Sequence, residues 1–463
     1  MRPLRSHHAA LILVAALLSA PDLAALPAKD GHALIRTLMA GKPGEKSRAA
    51  KKLIAAKDLS LVPPLVDALF FTPTAQRDPL LGVLRALTGE DPGNRYYDWV
   101  ELVGRRSDLR AGPGYMEWKL SLLSRIDQGY QKIFYSGASA RIALEEIVWG
   151  GVPIDGIPPL EDPPRVPAAE AGFLSDREKV FGVSAGGAHH AWPARYLSWH
   201  EMVNDTVGGE PVSLGFCTLC NTAIAYSGRS PAGGRWTFGT SGLLYRSNKL
   251  MYDRQTWTLW SQLTGEPVLG NMAVTPVRLE LVPVTITTWS AWKAAHPETT
   301  VTKLDPSFGA RWGYDYRPGA ADRRREGVSF PVWQKSGALP SKEEIYGLRL
   351  GAKTKAWPIA RVVQERIVHD RLGEVDLVLV ADPESGSVRV YRRDGRTFRA
   401  GATPGELRDE AGSVWKITEE ALVPAAVDGG DTESAAPLPR VPGVVAFWFG
   451  WYGFYPETEV WGR

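Results

Sequence analysis

Cys217 and Cys220 are the only cysteines in a chain of 463 residues, and two residues separate them. Thiolates at that spacing can hold one metal ion from a single turn, and sulfur suits zinc, copper and iron. The same pair can cycle between dithiol and disulfide. It can also close into a structural bond that pins a tight turn. One pair fills only half of a tetrahedral site, so a metal would need further donors. His200 is the leading third donor, and Met251 is a soft fourth. That set would suit copper, while an oxygen ligand in place of Met251 would favour zinc. Asp205, His189 and His190 are weaker choices. In the redox reading, a nearby His helps to lower a thiol pKa.

Other reactive side chains stand near these in sequence. Glu201 adjoins His200, and a His beside a Glu can serve acid–base chemistry. A His between apolar Trp199 and Met202 also fits a satisfied structural group, so His200 gains weight only through the thiols. Asn204-Asp205 followed by Gly208-Gly209 reads as a helix end and turn. Asp253 and Arg254 follow Met251-Tyr252 and read either as an acid–base pair or as an Asp–Arg contact at the exposed end of a strand. Ser241-Gly242 lacks the Gly-x-Ser-x-Gly elbow of serine hydrolases. No phosphate-cradling glycine motif is present.

The elements that must position these groups divide the chain. Arg2 and Arg5, an apolar stretch over residues 9–20, and small residues at Ala24, Ala25 and Ala28 read as a secretory signal over 1–28. The chain is then expected in the periplasm or secreted, with no membrane span after cleavage. Residues 29–110 carry helical periodicity: Leu65, Leu69 and Phe70 share one stripe, and Leu80, Val83, Leu84 and Leu87 another. Asp78-Pro79 can open the second of these helices and Gly89 can stop it. The tight pairing, with Leu87-Thr88-Gly89-Glu90-Asp91 and Trp99, is similar to HEAT-like repeats, so the region is expected to dock another exported protein. A connecting helix is expected within 111–144, covering 115–134.

After Glu145, Gly and Pro become frequent and apolar runs shorten, which predicts a mainly β domain over 145–463. The fold class is therefore α+β, a small helical domain before a larger β-rich one. A gapless internal repeat runs over about 180–229 and 345–394. Ala191-Trp192-Pro193 falls on Ala356-Trp357-Pro358, Asp205 on Asp370, and Gly208 on Gly373. His200, Cys217 and Cys220 have Glu365, Asp382 and Ser385 as counterparts, so the first copy holds the distinctive chemistry. Residues 425–443, rich in Ala, Gly, Asp, Ser and Pro, are expected to form a mobile surface loop. Formal net charge is +3. No Lys/Arg block interleaves with aromatics, and the short run at 323–325 reads as solvated loop, so nucleic acid is not an expected partner.

Several of these blocks resemble one bacterial family, catalogued as domain of unknown function 3179. The resemblance rests on His200-Glu201-Met202-Val203-Asn204-Asp205, Phe216-Cys217-Thr218-Leu219-Cys220, Phe238-Gly239-Thr240-Ser241-Gly242 and Met251-Tyr252-Asp253-Arg254-Gln255-Thr256. Leu259-Trp260-Ser261-Gln262-Leu263-Thr264-Gly265 and Phe447-Trp448-Phe449 belong to the same pattern. It covers roughly residue 145 to the end. The family usually has Pro where this chain has Thr218, and Tyr where it has Phe216. The resemblance implies a group and no activity. From the residues themselves, the reading is a copper or zinc site for metal handling or electron transfer. A thiol–disulfide oxidoreductase and a ligand-binding module with a structural disulfide are the alternatives.

Overall fold

The computed structural model describes residues 27–231, 233–320, 327–425 and 435–463. Residues 1–26 of the expected signal, the basic run at 323–325 and residues 426–434 of the expected loop lie outside the described residues. Six α-helices lead the described chain: Ala28–Ala40, Pro43–Ala56, Val62–Phe70, Asp78–Thr88, Tyr96–Arg105 and Tyr115–Leu123. Local chemistry sets their ends. Pro79 sits in the first turn of Asp78–Thr88, where its missing N–H has no helical partner to lose, and Gly89 closes it in the left-handed region at φ 71°. Val62–Phe70 is apolar on nearly every side and becomes the centre of the bundle. Its exception, Asp67, is ion-paired with Lys119 at 3.2 Å and accepts from Tyr115 at 2.7 Å.

The connecting helix is shorter than its sequence pattern predicts. Helix ends at Leu123, and Asp127 accepts from the Gly129 N–H to start a short 3-10 turn, Gln128–Lys132. The helical core does not stand apart from the β region. Val148, Leu244 and Trp333 pack into it, and Trp333 lies so close to Tyr96–Arg105 that a Cβ on Gly104 would come within 2.2 Å of its ring.

The remainder is β-rich and forms six sheets among the described residues, so the chain as a whole is α+β. Two stretches have the same element order. In the first, the strands Lys179–Ala185 and Ala188–Pro193 lead through the helix Ala194–His200 to the strands Met202–Val207, Glu210–Cys217 and Thr222–Ser227. In the second, Glu344–Leu350 and Lys353–Pro358 lead through Ile359–Glu365 to Ile367–Leu372, Val375–Ala381 and Val388–Arg392. A buried indole N–H needs an acceptor, and each stretch supplies one in the same place. Trp192 donates to Asp205 at 3.0 Å, and Trp357 donates to Asp370 at 2.7 Å.

Each stretch is also closed by a strand, a helix and a second strand from further along the chain. Thr285–Thr288 pairs antiparallel with the first stretch's leading strand, and Val444–Phe447 does so with the second's. Thr300–Thr302 and Glu459–Val460 then run parallel to the next strand in each. Between them, Trp292 covers Gly182 and Trp451 covers Gly347; a Cβ on either glycine would meet the indole at 2.4 or 2.5 Å. Trp292 donates to Thr299 at 2.9 Å and Trp451 to Thr458 at 3.0 Å.

Two local expectations are corrected. Asn204 and Asp205 lie within the Met202–Val207 strand and not at a helix end. The described part of the expected C-terminal loop, 435–443, holds the strand Leu438–Pro439, and Arg440 is buried against Glu419. That ion pair needs the chain to be ordered there. Among the described residues, no helix is long and apolar enough to cross a membrane.

Candidate functional site

Cys217 ends the Glu210–Cys217 strand and pairs across the hairpin with Thr222. Cys220 lies in the connecting turn, where Asn221 takes φ 54°. The two cysteines lie 3.1 Å apart without a bond between them. Both are sealed from solvent, at 1% and 0% exposure. Their cover comes from Leu219, Val332, Phe447 and Phe449. The backbone of Phe447 donates to the Cys220 carbonyl at 2.8 Å. Gly450 lies directly over Cys220, and a Cβ there would stand 2.6 Å from the cysteine's own Cβ.

The polar surroundings of the two sulfurs differ. Asn248 donates to Cys220 Sγ at 3.1 Å, and the Thr222 hydroxyl lies 3.5 Å from the same sulfur. Gln262 fixes both neighbours: its Oε1 accepts from Asn248 at 2.9 Å and from Thr222 at 3.0 Å, while its Nε2 donates to the carbonyls of Gly215 and Thr222. Burial pushes the Cys220 thiol up, but its polar contacts with Cys217, Thr222 and Asn248 outweigh it and hold Cys220 below the ordinary thiol range. Cys217 moves the other way. Burial, its hydrogen bond to Cys220 and the negative charges of Cys220 and Glu201 hold it well above that range. The two thiols thus differ in acidity, and Cys220 is the more acidic of the pair. Two further polar atoms on residues that touch the thiols, Ser247 Oγ and Asn248 Oδ1, are buried with no hydrogen-bond partner among the described residues.

Glu201 reaches this centre and His200 does not. His200 is the last residue of its helix, and Glu201 caps it at φ 56° in the left-handed region. That reversal sends the two side chains apart. The Glu201 carboxylate accepts from Thr218 at 3.0 Å and is ion-paired with Lys249 at 3.2 Å, and Lys249 also donates to the Glu201 carbonyl at 2.8 Å. The buried ammonium and the part-buried carboxylate thereby compensate each other beside the cysteine turn.

His200 is fully buried among Phe308, Trp312, Tyr314 and Tyr316. Its Nδ1 donates to the Pro158 carbonyl at 2.8 Å, and its Nε2 lies 2.5 Å from the Tyr316 hydroxyl. A carbonyl can only accept, so Nδ1 carries the proton and Nε2 is the acceptor. Burial lowers its pKa and keeps the ring neutral. Both nitrogens are engaged, so the imidazole does not serve as the third donor expected from the sequence.

Met251 is likewise placed elsewhere, in an apolar core with Met202, Trp236, Phe238 and Trp260. Asp205 serves the Trp192 lock and also receives Arg165 and the Thr206 N–H. Asp253 and Arg254 part company. Asp253 is buried in a turn, accepting from Thr256 and from Trp260 Nε1 at 2.8 Å. Arg254 reaches Asp155 at 2.9 Å. Of the weaker donors, His190 bonds Thr300 and Thr302, and His189 bonds Ser184 and stacks on His296. No group of three or more His, Cys, Asp or Glu side chains among the described residues is placed to hold a metal ion.

Sequence reasoning missed Asn248, Thr222, Lys249 and the role of Gln262. Gln262 lies within the Leu259–Gly265 block and Lys249 and Asn248 just before the Met251–Thr256 block, but amide and ammonium groups carry no spacing signature of their own.

Comparison with curated proteins found no match, and comparison with solved structures found none either. The family described as protein of unknown function (DUF3179) matches residues 154–458, which take in the cysteine turn, its polar partners and its aromatic cover. The chain belongs to that family.

Proposed function

We propose that this is an exported thiol–disulfide redox protein whose reactive couple is Cys217 and Cys220. The observation that carries the reading is the ring of donors around the Cys220 sulfur, which favours its negative form inside an otherwise apolar site. In the reaction, the Cys220 thiolate attacks one sulfur of a disulfide on a partner molecule, and that partner's other sulfur leaves as thiolate. Cys217 then gives up its proton and attacks the Cys220 sulfur, releasing the partner's second sulfur. The chain ends with a Cys217–Cys220 disulfide, and the partner ends with one thiol and one thiolate, two electrons and one proton having moved; the partner's thiolate takes the second proton from water. Because a stabilised thiolate favours the reduced form, the couple is expected to lie toward the oxidising end of such pairs, so these steps run more readily in reverse, from the Cys217–Cys220 disulfide to a partner dithiol. The aromatic cover must move for the partner to reach the sulfur, which protects the couple from stray thiols. An exported protein is the expected partner, docking at the helical region.

The second segment also argues against a mere staple. Its equivalent turn is held by Asp382 and Ser385 through oxygen hydrogen bonds, so a turn of this kind needs no sulfur. A metal-handling role is the second reading. It rests on two soft thiolates beside the unpartnered Ser247 Oγ and Asn248 Oδ1, and copper or zinc would be the ion.

The test equilibrates the native protein in glutathione redox buffers and counts free thiols by mass after alkylation. A single reversible two-electron transition is expected, lost in Cys220→Ser, with Cys217→Ser trapping a mixed disulfide. A pair that reacts only after unfolding sinks the redox reading. Copper or zinc at one equivalent in protein as purified, lost in both variants, would replace it with the metal reading.

A further inference from the structure

A cleft of about 360 Å³ lies between the two segments, and Thr218 and Asn221 of the cysteine turn form part of its wall. Its lining comes from matching places in each segment: Lys179 and Glu344 begin the two leading strands, Ala194 and Ile359 begin the two helices, and Ile286 and Val445 lie on the two closing strands. Reciprocal contacts cross it. Lys179 donates to the Ser385 carbonyl at 2.5 Å, and Asn221 donates to Glu344 at 3.2 Å. Junctions between packed units are frequent ligand sites, and this volume suits a small molecule.

The chemistry of the wall is two-sided. Phe181, Phe216, Ile286, Val388 and Val445 give an apolar floor. Arg177, Lys179, Arg195 and Arg317 face Glu178 and Glu344, so cationic groups outnumber anionic ones. Arg317 is already paired with Asp315. Arg195 Nε and Glu178 Oε1 approach to 3.0 Å, yet neither these atoms nor Glu178 Oε2 has a hydrogen-bond partner among the described residues. Glu178 is more than nine-tenths buried. Glu178 thus compensates Arg195, while Arg177 is exposed at the cleft with no ion pair among the described residues, a cation free to meet an anion.

We propose that this cleft binds a small amphipathic anion, an apolar body ending in a carboxylate, sulfonate or phosphate. The acidic end sits at Arg177, and the body lies on Phe181 and Phe216. The site stands apart from any reaction at the thiols.

Titration of the full chain with anilinonaphthalene sulfonate tests it, with uncharged phenylnaphthylamine as the control. Saturable binding of one equivalent is expected for the sulfonate, with the neutral analogue at least about fivefold weaker. Ser198→Trp, which places an indole in the cleft, should weaken binding by about tenfold or more, and Arg177→Glu by about threefold or more. Arg177 is at the surface, so its variant reports even if the tryptophan variant fails to fold. Equal binding of the neutral analogue, or affinity unchanged in Arg177→Glu, overturns the proposal. The double variant Cys217→Ser, Cys220→Ser should bind the sulfonate as the native chain does, so failure of the redox reading leaves this one standing.

Discussion

Two hairpin turns, residues 217–222 and 382–387, connect matching strands in the two segments and are held by different atoms. In the first, Cys217 and Cys220 lie side by side with Thr222 close behind. In the second, the Asp382 carboxylate accepts from the Ser385 hydroxyl at 2.5 Å, and the Ser387 hydroxyl lies 3.1 Å from that of Ser385. The positions correspond one to one, with sulfur replacing oxygen at two of them. The surrounding frame is retained, down to the Trp–Asp lock and the tryptophan that covers a glycine. What differs is what each turn faces. The second lies at one end of a three-stranded sheet, with Asp382 half-buried and Ser385 and Ser387 buried. The first is roofed by Phe447–Gly450 and floored by Asn248 and Gln262. A common backbone therefore carries two electrostatic environments, and only one of them favours a buried negative sulfur.

The comparison is broken most severely at the locks. Asp205→Ala strands the Trp192 N–H and Arg165, and should cost about 3–5 kcal/mol. Asp370→Ala, in a wetter setting, should cost about 1–2 kcal/mol. Urea denaturation measures both, and equal losses would show that the two locks are not different in burial. Next comes the roof. Gly450→Ala presses a methyl group onto Cys220 and should cost about 1–3 kcal/mol while quickening Cys220 alkylation. Ala291→Gly, its counterpart in the first segment's closing helix, should cost about 1 kcal/mol through helix propensity alone and leave alkylation unchanged.

Asn248→Ala sharpens the contrast at the sulfur. Loss of a donor to a charged group should cost about 1.5–3 kcal/mol near neutral pH and move the appearance of thiolate ultraviolet absorbance to higher pH. An unmoved titration would mean that Asn248 does not support the thiolate. The smallest effect is a pH slope. His190 and Lys355 hold corresponding places beside the two locks, 3.8 Å from Asp205 and 2.9 Å from Asp370. Burial, aided by the Arg165 charge, keeps His190 well below the ordinary imidazole range, so it is neutral in the fold. The unfolded chain takes up its proton near pH 6.5, so stability must fall as pH drops below about that value, by at most about 1.4 kcal/mol per pH unit. His190→Gln should flatten the slope between about pH 7 and about pH 5, and Lys355→Gln should leave it intact. Parallel slopes in native and His190→Gln protein would refute the assignment.

Much of the frame was legible in the sequence because it follows periodicity and turn chemistry. Pro79 and Gly89 bracket a helix, and Ala-Trp-Pro with a following Asp marks both copies of the lock. The closing pieces escaped notice because they follow their segments at a different spacing, although His296-Pro297-Glu298-Thr299 and Tyr455-Pro456-Glu457-Thr458 carry the signal. The cysteine pair was legible as a site, but its partners were not. A single left-handed residue, Glu201, decides that the carboxylate and not the imidazole meets the turn, and a conformation of that kind is not written in residue spacing. The buried amides act through distances set by strands that pair later in the chain.

The roof over Cys220 is contributed by residues 447–450, near the end of the chain. If the protein is exported N-terminus first, both thiols reach the oxidising side long before anything covers them. During that interval they are open to any oxidant present. The order of synthesis thus gives the couple a first exposure before the roof of residues 447–450 forms, and later exposures need that roof to lift.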